Sequence, residues 1–134
     1  MHSQSAGIPF AQVTAGTVLP ELRVTVSPAA NERYWRAAGA SHPLLEAGAL
    51  YPPIAANLTV LCFGQVCPDA MIQTRQRLAC HRSARAGTEL VTSGVVEARY
   101  EKRGREYVDI ATTVSTSDGV LWDSEVSFTP AATL

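Results

Sequence analysis

Lysine is almost absent from this chain. Lys102 is the single one among eleven basic residues, and arginine carries the rest, a bias that reads as genome composition more than as function. Charge of either sign is scarce: 17% of residues are charged and the net charge is −1. No global field therefore draws the chain to nucleic acid or to an anionic membrane surface. No apolar run nears the roughly 20 residues of a membrane-spanning helix. The opening MHSQSAGIPFAQ lacks the basic region followed by an apolar region of a secretory signal, so a cytoplasmic protein is expected. Cysteine is rare as well. Cys62 and Cys67 stand five apart, Cys80 is alone, and no histidine pair completes a zinc site. Buried free thiols, no metal and no cofactor are expected.

What is present fits one folded domain over residues 1–134. Its 46% of hydrophobic residues excludes a disordered chain. Residues 1–20, rich in Ala, Gly, Thr and Pro, read as an extended lead-in. ELRVTVS (21–27) alternates as a strand does. Ser27 followed by Pro28 starts a helix, with a capping hydroxyl and a proline in the first turn, and Gly39 ends it. Tyr34, Trp35 and Ala38 share one face of that helix, which packs on a sheet. YPPIAANLTVLCFGQVCP (51–68) is the most apolar segment. Its spacing predicts a helix over 53–66, apolar nearly all round and therefore buried.

After Pro68 the texture changes to Val, Thr, Ile and aromatics. Strands are expected at 71–84, 88–103, 105–117 and 120–130, separated by the turn signals RAG, KRG and SDG. Val108, Ile110 and Val114 share one face, as do Val120, Trp122, Val126 and Phe128. A sheet with one apolar face needs a cover, and the 53–66 helix supplies it. The expected class is α+β: a long antiparallel sheet wrapped around a central apolar helix, the hot-dog architecture.

Three stretches carry a resemblance. ERYWRAAGASHP (32–43) is similar to the Arg-Tyr-x-x-Ala-x-Gly-Asp-x-Asn-Pro of the MaoC-like hydratases and dehydratases. YPPIAANL (51–58) resembles the Pro-Pro run that opens their central helix. RLACHRSARAGTELV (77–91) resembles the strand, turn and Gly-Asp-x-Leu that follow. The likeness covers roughly residues 15–130 and is nearest to the family's N-terminal, non-catalytic half-domains. It implies addition of water to an enoyl thioester, or its removal from a 3-hydroxyacyl thioester, on coenzyme A or an acyl carrier protein. In the family an aspartate and a histidine activate the water, and N–H groups at the helix start polarise the carbonyl.

Laid on that motif, the chain has Ala40 at the aspartate position and Leu45 at the histidine position. Ala56 and Asn57 fall where the substrate would meet the start of the central helix. The resemblance thus implies a catalytically silent subunit that shapes an acyl pocket, as a homodimer or beside a catalytic hot-dog subunit. The alternative is an active enzyme with His42 as acid or base, oriented by Glu46. A hot-dog thioesterase is disfavoured, because those need a carboxylate at or in the central helix and residues 53–66 hold none.

Arg75, Arg77, Arg82 and Arg85 fall within eleven residues. Guanidinium forks suit phosphate, so Arg75 and Arg77 are candidates to hold a carrier's phosphates. The bland alternative is a solvated strand paired with Glu89, Glu97 and Glu101. Strict alternation would set Met71, Gln73, Arg75, Arg77, Ala79 and His81 on one wet or interfacial face.

Overall fold

The computed structural model describes residues 7–39 and 43–131. The Val- and Thr-rich second half forms β2 (Met71–Cys80), β3 (Glu89–Lys102), β4 (Arg105–Thr116) and β5 (Gly119–Pro130). With β1 (Val18–Thr25) they make one antiparallel sheet in the order β1-β3-β4-β5-β2. Among the described residues, three helices lie between β1 and β2: α1 (Pro28–Ala37), the short α2 (Pro43–Glu46) and α3 (Ala55–Gly64), which continues a 3₁₀ turn at Pro52–Ile54. Ser27 caps α1 as its sequence predicts, accepting the Ala30 N–H at 3.1 Å. Gly39, at φ +75°, ends the helix in the left-handed region that glycine enters freely.

α3 lies across one face of the sheet, against β1, β3, β4 and β5, and the core divides around it. One apolar cluster gathers Phe63, Val96, Val108 and Phe128 with Phe10 and Val13; the other gathers Ile54, Leu58, Leu90, Val114 and Trp122. Hydroxyls fill the seam between them. Thr59 donates to Ala55 O at 3.0 Å and shares a 2.7 Å hydrogen bond with Thr112 on β4. A polar pair satisfied in this way joins helix to sheet without the penalty of an orphaned hydroxyl. Gly94 gives the seam its room. A Cβ there would stand 2.7 Å from Thr112 Cγ2 and 2.8 Å from Ala111 O.

Several expectations change. The 53–66 helix is not buried all round: the sheet covers one side, and Val60 and Leu61 remain 43% and 55% exposed. The segment before β1 is more than an arm, since Phe10–Gln12 form a 3₁₀ turn and Val18–Pro20 already belong to β1. Phe10 and Val13 are buried, and Arg99 holds them by donating to both their carbonyls while stacking 4.4 Å over the Phe10 ring.

Strict alternation also fails at bulges, where one extra residue moves the following side chains to the other face. The β2–β5 register shifts between Gln73 and Arg75. Met71 therefore packs against the core, while Arg75, Arg77 and Ala79 lie on the outer face. The β4–β5 register shifts between Val114 and Ser115. There Leu121 is buried, and Val120, expected beside Trp122, is 40% exposed.

Gly94→Ala is expected to destabilise the fold by about 1–3 kcal/mol through overpacking of the Thr112 seam. Urea unfolding of the two proteins measures it, and an unchanged midpoint would contradict the close approach.

Candidate functional site

The segment before α3 is fixed by α1. Asn31, 2% exposed, donates from Nδ2 to Ala49 O at 2.8 Å and accepts the Tyr51 N–H at 2.9 Å. Trp35 Nε1 donates to the same Ala49 carbonyl at 2.9 Å. On the other side Leu50 N–H bonds to Ala84 O and Ala86 N–H to Gly48 O, both at 2.9 Å. Tyr51 completes the unit, edge-on to Trp35 at 5.0 Å and stacked on Tyr34 at 6.5 Å. The aromatic face of α1, expected on the sheet, instead packs on this connection: Trp35 is buried against it, while Tyr34 and Ala38 are exposed.

The start of α3 is set by Pro52 and Pro53, which carry no N–H. The next donors are engaged: Ile54 N–H bonds to Tyr51 O at 3.2 Å, and Ala55 N–H turns to the Pro52 and Pro53 carbonyls. Ala56 is buried and Asn57 is exposed. Asn57 borders a cleft of about 270 Å³ between the end of β1, α1 and α3, whose apolar walls include Val26, Tyr34, Ile54, Leu58 and Leu61. Leu61 also borders a groove of about 600 Å³ running past Val60 and Pro68 to Met71 and Phe128 beside β2. One exposed leucine therefore forms the ridge between an apolar cleft and an apolar groove.

Leu45 is half-buried on α2 and Glu46 is exposed there. His42 and Ala40 lie outside the described residues. Arg75 and Arg77 do not meet Ala56 and Asn57; they stand on the outer face of the sheet, at its β2 edge. Both reach Glu125, at 3.8 and 3.6 Å, with their side chains 58% and 73% exposed. Of the expected partners, Glu97 feels the charge of Arg77, which favours its ionised form; among the described residues no ion pair joins either arginine to Glu89 or Glu101. Glu89 pairs with Arg23, and Glu97 turns to Glu125, whose carboxylate holds the Glu97 carboxyl above its ordinary range by hydrogen bonding.

The outer face holds a pair that sequence reading left as a surface histidine. His81 Nε2 lies 2.7 Å from Asp123 Oδ2, and Thr113 donates to Asp123 Oδ1 at 2.9 Å. These contacts hold the Asp123 carboxyl below its ordinary range, His81 first. The pair brings together residues 42 positions apart in sequence, and no local motif announces it. Among the cysteines, Cys62 and Cys67 are buried and Cys80 is exposed, all free; burial raises the Cys62 and Cys67 thiols. Among the described residues, no group of three His, Cys, Asp or Glu could hold a metal, and no helix is long and apolar enough to cross a membrane.

No protein-family model and no curated protein matches the chain. Solved structures do. The 3R-hydroxyacyl-ACP dehydratase complex HadBC of Mycobacterium tuberculosis superposes with a TM-score of 0.73 at 17% identity, covering 88% of this chain and 98% of that one. The R-hydratase PhaJ1 of Pseudomonas aeruginosa gives 0.74 at 19%, covering 92% and 86%. A MaoC-like dehydratase from Rhodospirillum rubrum gives 0.68 at 18%, covering 92% and 97%. The chain has the hot-dog fold, in the form these dehydratase and hydratase structures share.

Asn31→Ala is expected to destabilise the protein by about 2 kcal/mol, because the Tyr51 N–H loses its buried partner. It should also weaken the near-ultraviolet circular dichroism of the Tyr34–Trp35–Tyr51 group. A variant matching the wild type in both would show that the clamp does not set the connection.

Proposed function

We propose that this chain is a subunit of the MaoC-like hydratase and dehydratase class that binds an acyl thioester, on coenzyme A or an acyl carrier protein, without carrying the chemistry itself. The observation that carries this reading is the exposed apolar side of α3. Its Leu61 ridge joins a cleft able to take an acyl chain to a groove able to take a neighbouring subunit. Asn57 offers the polar group at the cleft rim, beside Ala56, and apolar walls with few polar groups are what a ligand pocket needs. A leucine at position 45 cannot move a proton. General acid/base help is worth about 10²–10⁴-fold, so its loss leaves positioning alone.

The partner reading follows from the sheet edges. β1 is blunted by Pro20 and by a register shift between Leu19 and Leu22. β2 has no proline over its ten residues and adjoins the apolar groove, so β2 is the edge that pairs. The occupant is another hot-dog subunit, either a second copy or a catalytic one. HadBC, of the same fold, is itself a complex. A cytoplasmic location suits a protein that handles such thioesters.

Two measurements test this. The purified chain should hydrate a crotonyl thioester no faster than background, and should gain activity with a catalytic hot-dog partner. Brisk turnover that His42→Ala abolishes would instead make it an active enzyme with His42 as its acid or base. In sedimentation the wild type should associate, alone or with that partner. Leu61→Asp should stay monomeric with its urea midpoint within about 0.5 kcal/mol, as exposed substitutions do. Equal association of the two proteins would remove the groove from the interface.

A further inference from the structure

We propose that the β3–β4 hairpin corner binds a phosphorylated nucleotide, with its phosphate held by Arg75, Lys102 and Arg103 and its base laid against Tyr100 and Tyr107. These side chains, with Ser127, line a cleft of about 250 Å³ on the outer face of the sheet. It is separate from the α3 cleft, and the inference holds whether or not that cleft takes an acyl group.

Strand geometry sorts the charges of this hairpin. Its register pairs Tyr100 with Tyr107, Glu101 with Glu106 and Lys102 with Arg105. Successive side chains point to opposite faces, so the glutamates leave on one side and the tyrosines and cations on the other. Glu106 is occupied there, 3.0 Å from Arg99. The Thr74 bulge then turns Arg75 onto the same outer face. The result is a basic corner in a chain whose net charge is −1.

Little on that face competes for the cations. Asp109 is the nearby carboxylate, and its Oδ1 already accepts the Tyr100 hydroxyl at 2.9 Å and the Ser127 hydroxyl at 2.7 Å. Glu125 reaches Arg75 only at 3.8 Å. Lys102 and Arg103 pair with no carboxylate among the described residues. A guanidinium and an ammonium without a counter-charge suit phosphate oxygens. The two tyrosine rings stack on each other, 5.5 Å apart and 14° from parallel, and a base can extend that stack on an outer ring face.

Arg103 is the independent sign. It is the one non-glycine among the described residues with positive φ, at +54°. That turn position favours Gly, Asn or Asp, so an arginine there is held in a conformation its backbone disfavours. Such outliers gather at functional sites, and here the outlier carries the cation.

Adenosine 3′,5′-bisphosphate, inorganic phosphate and adenosine, each titrated calorimetrically at low salt, test the inference. The bisphosphate should bind tightest, inorganic phosphate and adenosine each at least about fivefold more weakly, and added salt should weaken the bisphosphate. Arg103→Gly separates binding from folding, because glycine suits the turn. Its urea midpoint should equal or exceed the wild type's while bisphosphate affinity falls about tenfold, the worth of one charge-assisted contact. Unchanged affinity in Arg103→Gly would overturn the proposal. So would adenosine or inorganic phosphate binding as tightly as the bisphosphate.

Discussion

α3 is apolar nearly all round, but the sheet covers only one side of it. Most of what distinguishes this molecule follows from that mismatch. Val60 and Leu61 stand on the open side, 43% and 55% exposed. Two large apolar residues in sequence, flanked by a cleft on one side and a groove on the other, form a continuous apolar surface of the kind that marks a binding site.

The covered side of α3 is specified as closely as the open side is left free. Apolar packing alone is tolerant of sliding, because leucine and valine fit many neighbours. The Thr59–Thr112 hydrogen bond is not tolerant: it closes at one register of helix against sheet. Gly94 admits it by leaving space beside Thr112. Asn31 performs the same service outside the core, bonding to two backbone groups that flank the connection into α3. The helix is therefore held at its middle by one hydroxyl pair and at its entrance by one amide.

The elements were legible because their periods are clean. Val108, Ile110 and Val114 alternate, and each is fully buried as the alternation requires. The faces were less legible, because a bulge leaves no local mark in sequence. Thr74 looks like any strand residue, yet the shift beside it moves Arg75 and Arg77 away from the face of Met71. The expectation of an acid/base position at Leu45 came from motif spacing alone. The α3 cleft was not legible, because its walls come from three elements, the end of β1, α1 and α3. Ion pairs were read from charge alone, and so Glu125, which both Arg75 and Arg77 reach, was missed. Glu125 wins because cross-strand register sets it opposite Arg77.

That register also sorts the arginines by function. On the outer face, Glu125 and Asp123 of β5 are each answered one strand away, by Arg75 with Arg77 and by His81. Exposed pairs of this kind add little stability each, so Arg75, 3.8 Å from Glu125, remains open to another anion. Arg99 is consumed by the Phe10 and Val13 carbonyls and so belongs to the fold. Lys102 and Arg103 are in neither position. They sit past the last acid of the outer face, at a turn that can hold their backbone but offers their charge nothing. In a chain with so few charges, a cation without a partner on a disfavoured backbone is a better guide to binding than the number of arginines nearby. The sequence emphasises the run Arg75, Arg77, Arg82 and Arg85, while the unmet charge stands at the hairpin tip.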